Sequence, residues 1–406
     1  MLPLSGIRLL AWTTAVAGPY GGMMFADLGA EVINIERPRG RVIGRSLCHD
    51  RNKKSIALNA RTDDGKEILE RLIKSADVLY ENYAPGAIKR LGFPPEVVLK
   101  INPRIIYASC KGYGDGPYGM RPAWDPCIES ESGYMSLTGY KKADAMPMRV
   151  GGATVDMTTA MFNVISVIGA LIKREKTGKG EYIRGNMFED AVSSLGAHIA
   201  LYTLYGKVLG PLDSGEGAAR AYQTADWWVY VDASSDENWA KFCNAIGIDQ
   251  ESTERYSTKE AREEDPKGVE MLMEEVLLKM TMSEIIEKLE GTGVPVAPIN
   301  TMKEVIDDPH YKATGTLVRV LHDKKILNSS FDKAIIFTKL PVRTSDYNPN
   351  TEDWDKQPSP DVGEHTIELL QELGYTQEQI TDLRKRKIVV PYLDEELERV
   401  LSGRRR

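Results

Sequence analysis

The sequence predicts an α/β fold, in which helices cover a parallel β-sheet, on three observations. Short apolar runs of strand length recur through the first 110 residues, as IRLLAW, EVINIE, VLY and RIIYASC. Segments with helical spacing of apolar residues, such as GKEILERLIKSA, lie between them. Gly29 stands where the first of these helices should end. Strands that alternate with helices favour parallel pairing, because each return to the sheet uses a helix as its connection.

The later elements divide the chain into a large and a small domain. The segment FNVISVIGALIK is apolar on nearly every side, which predicts a buried helix in the large domain. From about residue 222, two short strands lead to a helix that begins near Asp236, and residues 340–360 are rich in Pro, Asp and Asn, as linkers are. The predicted parts are a Rossmann-like domain at 1–200, a linker at 201–221, a smaller α+β domain at 222–320, a linker at 321–360, and C-terminal helices at 361–406 that return to the large domain.

Composition narrows the classes of function. Of the 406 residues, 42% are hydrophobic and 27% charged, as in ordinary globular proteins, and the net charge of -7 argues against a general nucleic-acid binder. No secretion signal is recognisable, and no apolar run approaches the roughly 18 residues that span a bilayer. We therefore expect a cytoplasmic protein with no nucleic-acid or membrane partner. The cysteines are widely spaced, which indicates neither a zinc site nor a disulfide framework; they are Cys48, Cys110, Cys127 and Cys243.

Basic residues flank the predicted sheet in three places. Glu36 occupies the place of a ribose-binding acid, but AGPYGG is not the G-x-G-x-x-G fingerprint of a dinucleotide site, so a redox function is disfavoured. Arg37, the run RNKK at 51–54, and Arg90 are together compatible with a pocket for several phosphates. Taken singly, each is explained equally well as scattered surface charge.

The stretch GGATVDMTTAMF places Asp156 among small and apolar residues just before a predicted helix. Asp is a preferred helix N-cap, so a structural role suffices to explain it. A carboxylate near a helix N-terminus is also stabilised as the anion and can serve as a nucleophile or base. The local sequence leaves both roles open.

Eight segments, in this order, resemble the class III coenzyme A transferases. That family includes formyl-CoA, carnitine and 2-hydroxyacyl or phenyllactate CoA-transferases and the α-methylacyl-CoA racemases. The resemblance covers nearly the whole chain. The segments are GAEVINIERP, NKKSIALN, ENYAPGAIKRLGF, NPRIIYASCKGYGDGPY, GGATVDMTTAM, REKTGKGEYI, GVPVAPINTMKEVIDDP and GEHTIELLQELGYTQEQI.

The resemblance implies a role for each of eleven residues. Asp156 is the implied nucleophile, and CoA or acyl-CoA is the implied substrate, with no metal and no permanently bound cofactor. The implied contacts with CoA are Thr14, where formyl-CoA transferase has a glutamine; Arg37 at the adenosine end; Asn52, Lys53, Lys54 and Arg90 at the phosphates; Asn82 and Tyr83 along the pantetheine; and Trp124 and Asp125 beside the thioester.

The implied reaction moves CoA from an acyl-CoA donor to a free carboxylic acid. Asp156 attacks the thioester to give a mixed anhydride, and the CoA thiolate then forms an aspartyl-CoA thioester. Backbone N–H groups around Gly151 and Gly152 can stabilise the tetrahedral oxyanions. The resemblance also implies an interlocked homodimer, in which the two chains thread through each other.

Two alternatives remain: an acyl-CoA racemase of the same fold, and a CoA-binding regulator that need not keep Asp156. Racemases of the family carry a histidine just before the aspartate of the loop that matches RPAWDP, and this chain has Trp124 there. The histidines lie in none of the matched catalytic motifs; they are His49, His198, His310, His322 and His365.

Four apolar or aromatic residues are compatible with a pocket for a larger or more apolar acyl group, although core packing explains each as well. They are Trp124, Tyr134, Met146 and Met148.

Overall fold

The structure is a computed structural model that divides into two compact units. The first contains Met1–Met135, Arg149–Tyr205 and Ala313–Arg406; the second contains Ser136–Met148 and Gly206–Lys312. The described residues are 2–38, 48–139, 146–211, 217–321, 334–342, 345 and 357–390.

A six-stranded sheet forms the centre of the first unit, in the order β3-β2-β1-β4-β5-β6. Every neighbouring pair is parallel, which confirms the predicted parallel sheet. The strand order reverses between β1 and β4, and open α/β sheets bind ligands at such a switch point, beyond the carboxyl ends of the strands. The strands are β1 (Arg8–Trp12), β2 (Glu31–Glu36), β3 (Lys53–Ala57), β4 (Val78–Glu81), β5 (Ile106–Lys111) and β6 (Glu181–Asn186).

Helices connect these strands. The early helices are α1 (Ala17–Asp27), α2 (Asp63–Ser75), α3 (Ala87–Leu91), α4 (Pro95–Ile101), α5 (Asp125–Ser132), α6 (Tyr134–Leu137), α7 (Thr154–Thr177), α8 (Met187–Ser194) and α9 (Gly196–Tyr205).

Both faces of the sheet are buried. Leu9 packs in one hydrophobic cluster with Phe25 of α1 and Val164 of α7, whereas its neighbour Leu10 packs in a second cluster with Leu69 of α2. Successive residues of a strand point to opposite faces, so a strand covered on both sides must be apolar at consecutive positions. This is why the strands appear as continuous apolar runs in the sequence.

The glycines of AGPYGG allow α1 to lie close to the sheet. A Cβ atom on Gly21 would come within 2.9 Å of the Tyr80 ring, and one on Gly18 within 2.6 Å of Thr13 Cβ. Neither distance is compatible with a side chain at those positions. The glycines therefore serve close helix–sheet packing here, without forming the dinucleotide fingerprint.

The long helix α7 combines a core face with an exposed apolar face. Among the described helices it alone is long and apolar enough to cross a bilayer. Its buried residues, including Val164 and Val167, belong to the same core cluster as β1 and β5, which is the packing of a core helix. On the other face, Phe162 and Ile165 are exposed in the single chain.

The second unit has its own sheet and core. Its three antiparallel strands are β7 (Ala219–Gln223), β8 (Trp228–Asp232) and β9 (Val296–Pro298). Trp239, Phe242 and Met273 are fully buried against the sheet. The helices are α10 (Asp236–Ile246), α11 (Gln250–Arg255), α12 (Lys259–Glu264), α13 (Pro266–Leu277), α14 (Met282–Leu289), α15 (Met302–Asp307) and α16 (Pro309–Thr314).

The C-terminal part of the chain packs on the first unit's sheet. Leu370 and Ile380 lie in the hydrophobic cluster that contains Leu10. Ala57 N, at the end of β3, donates a hydrogen bond to Thr366 Oγ1 at 3.1 Å. The elements are the hairpin of β10 (Leu317–Leu321) and β11 (Ala334–Thr338), followed by α17 (Thr366–Glu372) and α18 (Gln377–Lys385).

Candidate active site

Thr14 and Asn82 join the two strands at the switch point. Thr14 N donates to Asn82 Oδ1 at 2.7 Å, and Asn82 Nδ2 donates to Thr14 O at 2.8 Å. The next residue, Ala15, has φ 63°, a left-handed conformation that a residue with a Cβ adopts at an energetic cost. The β1–α1 turn is thus held in one shape by the loop that follows β4.

Arg37 and Tyr83 lie at the same end of the sheet as this pair, just beyond the carboxyl ends of β2 and β4. Arg37 follows β2, and its guanidinium carbon is 5.4 Å from the centroid of the Tyr83 ring, a cation–π contact. Burial raises the pKa of the Tyr83 hydroxyl, against the opposing charge of Arg37. The structure therefore brings together four predicted CoA contacts: Thr14, Arg37, Asn82 and Tyr83.

Two exposed arginines also come after strands of the sheet, in the segments that follow the carboxyl ends of β3 and β4. Arg90 lies on α3, after β4, and Arg61 lies just beyond β3. Both side chains are exposed, and within the described residues neither has an ion-pair partner, so both guanidinium groups are available to an anion. Arg61 was not predicted from the sequence. The sequence feature that could have indicated Arg61 is its place as the first basic residue after the third strand. That feature can be used only when the end of the strand is known.

Three of the predicted phosphate contacts lie at the opposite end of the sheet, where the parallel strands begin. They are Asn52, Lys53 and Lys54, and β3 begins at Lys53. Lys53 is only 4% exposed, and its ammonium group donates to Pro19 O at 2.8 Å and to Asp50 at 2.8 Å. The other two are also engaged: Lys54 pairs with Glu31 and Glu368, and Asn52 Oδ1 accepts from Gln357 N at 2.9 Å.

The sheet therefore does not bring these three residues together with Arg37 and Arg90. A phosphate contact at Lys53 would require its buried pair with Asp50 to open, which leaves a buried charge uncompensated. Their role at the phosphates remains a prediction that this arrangement does not favour.

Asp156 is the third residue of α7 and is half-buried. The predicted capping role for Asp156 is wrong: Ala153 occupies the N-cap position, and its side chain makes no capping bond. The cap comes from Asp125 instead, whose Oδ2 accepts Val155 N at 2.9 Å and Asp156 N at 3.1 Å. A carboxylate 31 residues earlier in the chain thus satisfies the helix end that bears Asp156.

Asp125 belongs to a buried carboxyl pair that also fixes the loop before α7. Arg149 Nη2 donates to Asp125 Oδ1 at 3.1 Å and lies 3.7 Å from Glu129 Oε1, while Val150 N donates to Glu129 Oε2 at 2.9 Å. Burial raises the pKa of Glu129, and its contact with Asp125 raises it further. Asp125 is 5% exposed, and both of its carboxylate oxygens accept hydrogen bonds, one from Arg149 and one from the first turn of α7. Its carboxylate therefore holds the loop and the helix end in place.

Gly151 and Gly152 leave the space in front of this helix end open. A Cβ atom on either would meet nothing within 4 Å, and Gly152 has φ 79°, which favours glycine. In the part of the chain that the structure describes, neither backbone N–H donates to another residue. The N–H groups of Gly151 and Gly152, which precede the turn of α7 that Asp125 caps, are therefore suited to donate to an anion or a developing oxyanion.

Core packing, the structural alternative for the predicted pocket residues, is wrong for three of the four. Trp124 is 61% exposed, and Met146 and Met148 are exposed as well. Tyr134 does pack against the first core cluster. The three exposed side chains therefore need another explanation than the core.

Comparison with known proteins gives a consistent result. The chain matches the model of CoA-transferase family III over residues 4–366. It is 31% identical to human succinyl-CoA:glutarate CoA-transferase, covering 95% of this chain and 90% of that protein. It is 30% identical to the succinyl-CoA–L-malate CoA-transferase β subunit of Chloroflexus aurantiacus (96% and 98% covered), and 31% identical to formyl-CoA:oxalate CoA-transferase of Bradyrhizobium diazoefficiens (96% and 97%).

Solved structures agree with these matches. A CAIB/BAIF family protein from Brucella suis superimposes with a TM-score of 0.82 at 29% identity, covering 92% of this chain and 99% of that one. The protein Rv3272 from Mycobacterium tuberculosis gives a TM-score of 0.76 at 27% identity, covering 90% and 98%. The match to the family model and the full-length similarity to these CoA-transferases show that the chain belongs to CoA-transferase family III.

Proposed function

We propose that this CoA-transferase moves CoA from an acyl-CoA donor to a free carboxylic acid with Asp156 as the nucleophile. The observation that carries the proposal is the capping of α7 by Asp125. Because another carboxylate performs the structural duty, helix capping does not explain an acid at position 156. A half-buried carboxylate at a helix N-terminus, beside two exposed glycines, is suited to covalent catalysis.

The reaction proceeds by exchange of activated acyl groups. An oxygen of Asp156 attacks the thioester carbonyl, the C–S bond breaks, and an aspartyl mixed anhydride and a CoA thiolate result. The thiolate then attacks the aspartyl carbonyl and displaces the donor acid, which leaves an aspartyl-CoA thioester. An incoming carboxylate attacks that thioester, and the same steps in reverse release the new acyl-CoA. The N–H groups of Gly151 and Gly152 are the donors proposed for the tetrahedral oxyanions.

We propose dicarboxylic acids as the first acceptors to test. The acids in the names of the relatives, glutarate, L-malate and oxalate, each carry two carboxyl groups. Formate and oxalate are the less favoured choices, because Thr14 replaces the glutamine of formyl-CoA transferase and DSGEGAARAYQ does not match its glycine-rich flap. The exposed Trp124 offers an apolar surface, so larger acyl groups belong in the same panel.

We propose that the protein is an interlocked homodimer. Its support in the single chain is the exposed apolar surface of α7 and α9, where Ile165, Leu204 and Tyr205 are among the exposed side chains. Exposed apolar helix faces often mark interaction sites. Light scattering coupled to size-exclusion chromatography should give twice the chain mass of 45.2 kDa, and a monomer at micromolar concentration would contradict the proposal.

The test of the function is the variant Asp156→Ala. It should lose acyl transfer while keeping its fold and its affinity for CoA, because the carboxylate forms the covalent bond and Asp125 still caps the helix. Asp115→Ala, which removes an exposed carboxylate paired with Arg184, is the matched control and should keep full activity. Retained turnover in Asp156→Ala would overturn the assignment of the nucleophile.

A further inference from the structure

Unpaired polar atoms gather on the buried side of α7, behind the nucleophile. Within the described residues, Thr159 Oγ1, Asn163 Oδ1, Asp190 Oδ2 and the Tyr80 hydroxyl are buried and have no hydrogen-bond partner. We name these four residues the buried polar site. Native proteins leave few such atoms unpaired, so four of them in one region need an explanation.

Three of the site's members are placed by the helices themselves. Thr159 and Asn163 follow Asp156 by three and seven residues, which puts them on one face of α7, and Asn163 Nδ2 donates to Thr159 O at 2.9 Å. Asp190 lies on α8, which packs against α7, and its carboxyl group faces the Thr159 hydroxyl. The site thus connects α8 to the turn of α7 that carries Asp156.

Tyr80 connects the site to the sheet. Burial raises the pKa of the Tyr80 hydroxyl well above its usual value, and the charges of Asp190 and Asp156 are among those that raise it further. Burial and then the charges of Asp190 and Asp156 likewise raise the pKa of the Cys110 thiol on β5. The charges of Asp190 and Asp156 therefore influence the same buried region between α7 and the strands.

Ordered water is the usual partner of buried polar atoms that lack protein partners. A carboxyl group, two hydroxyls and an amide oxygen supply the several donors and acceptors that a buried water needs. We propose that Asp190 is a positioning residue, which, through water held in the buried polar site, fixes the first turns of α7 and thereby the carboxylate of Asp156. This inference rests on the proposed role of Asp156 as the nucleophile.

The charge state of Asp190 gives the proposal a specific signature. Burial raises the pKa of Asp190 to about 7. The nearby Thr159 hydroxyl favours the anion and so lowers this pKa, whereas the charge of Glu189 raises it further. Below that pH Asp190 is neutral and can donate a hydrogen bond to the water. Above it, a second anion lies behind the nucleophile and opposes the negative charge of the tetrahedral intermediate. The charged and titratable groups around this region are Glu189 on α8, Asp156 on α7, Tyr80 and Glu81 on β4, and Cys110 and Lys111 on β5.

The test compares Asp190→Asn and Asp190→Ala with the wild type in the rate at which an acyl-CoA labels Asp156, measured across pH. The wild-type rate should fall several-fold as the pH rises through about 7, the pKa of Asp190. Asp190→Asn keeps the shape and the hydrogen bonding but does not titrate, so its rate should stay level over this range. Asp190→Ala should label slowly at every pH. Glu189→Gln, the neighbouring carboxylate on the same helix, is the control and should keep the fall.

A fall in Asp190→Asn that matches the wild type, or wild-type labelling in Asp190→Ala, would overturn the positioning role while leaving Asp156 as the nucleophile. Absence of any label in the wild type would instead overturn the proposed function on which the inference rests. If Asp190→Ala fails to fold, the comparison between Asp190→Asn and the wild type still decides.

Discussion

The capping of α7 by Asp125 predicts that Asp125→Ala loosens the catalytic helix end without removing the nucleophile. The substitution deletes two hydrogen bonds, from Val155 N and Asp156 N, and a third from Arg149. The two backbone donors are then left at the end of a helix with no side-chain cap, since Ala153 makes none.

The size of the loss follows from these bonds. A hydrogen bond to a charged group contributes about 1.5–3 kcal/mol, and the loss of a helix cap costs about 1 kcal/mol. The side chain of Arg149 is 50% exposed, so its bond is discounted for solvent screening. The two backbone bonds therefore set the local loss at about 3 kcal/mol, which is roughly a hundredfold in a rate or an equilibrium constant.

Hydrogen exchange measured residue by residue is the direct assay. The amide hydrogens of Val155 and Asp156 should exchange roughly a hundredfold faster in Asp125→Ala, and the rate of acyl transfer should fall with them. Asp249→Ala removes a helix cap in the second unit, the bond from Ser252 N, and should leave acyl transfer unchanged. Wild-type exchange at both amides, or an unchanged transfer rate, would refute the argument.

Three further predictions concern charge. Burial and Asp125 raise the pKa of Glu129, so the folded protein favours its protonated form and loses stability as the pH rises from the usual Glu pKa towards the raised value. Glu129→Gln should therefore gain in Tm over the wild type as the pH rises, and a constant difference would count against this. Arg51→Met leaves the Asp27 carboxylate buried and uncompensated, so it should lower the free energy of unfolding, measured in urea, by about 3–5 kcal/mol. The double variant with Asp27→Leu should recover most of this loss. A loss below about 1 kcal/mol in Arg51→Met would be inconsistent with a stabilising pair. Arg90→Ala should weaken CoA binding in calorimetry, most at low salt, and equal affinity would remove Arg90 from the phosphate site.

The parallel sheet could be predicted from the sequence because burial on both faces forces consecutive apolar residues. Leu9 and Leu10 are neighbours in the chain and lie in different clusters, and this produces the continuous run that marks the strand. Asp156 could be found because the ordered set of eight segments, which includes GGATVDMTTAM, resembles the class III CoA transferases. The strand signal is local, whereas the signal for Asp156 comes from nearly the whole chain, since the local sequence alone left capping and catalysis both open.

The remaining site features depend on contacts between distant segments. The sequence does not state that Asp125 caps a helix that begins at Thr154, because that bond exists only once α5 and α7 are packed. Lys53 appeared as part of a basic run, but the point at which β3 begins places it at the other edge of the sheet and buries it. Asp190 gave no signal, since its significance comes from unpaired atoms on α7 and β4.

The central claim is that Asp156 forms covalent acyl intermediates. Incubation with a panel of acyl-CoA thioesters, a hydroxylamine quench and peptide mass spectrometry tests it most directly. Covalent catalysis by Asp156 predicts a hydroxamate on that residue, formed with at least one thioester and absent from Asp156→Asn. If no thioester labels Asp156 while the same mixtures in deuterated water exchange the α-proton of an acyl-CoA, the claim is contradicted and proton transfer replaces it.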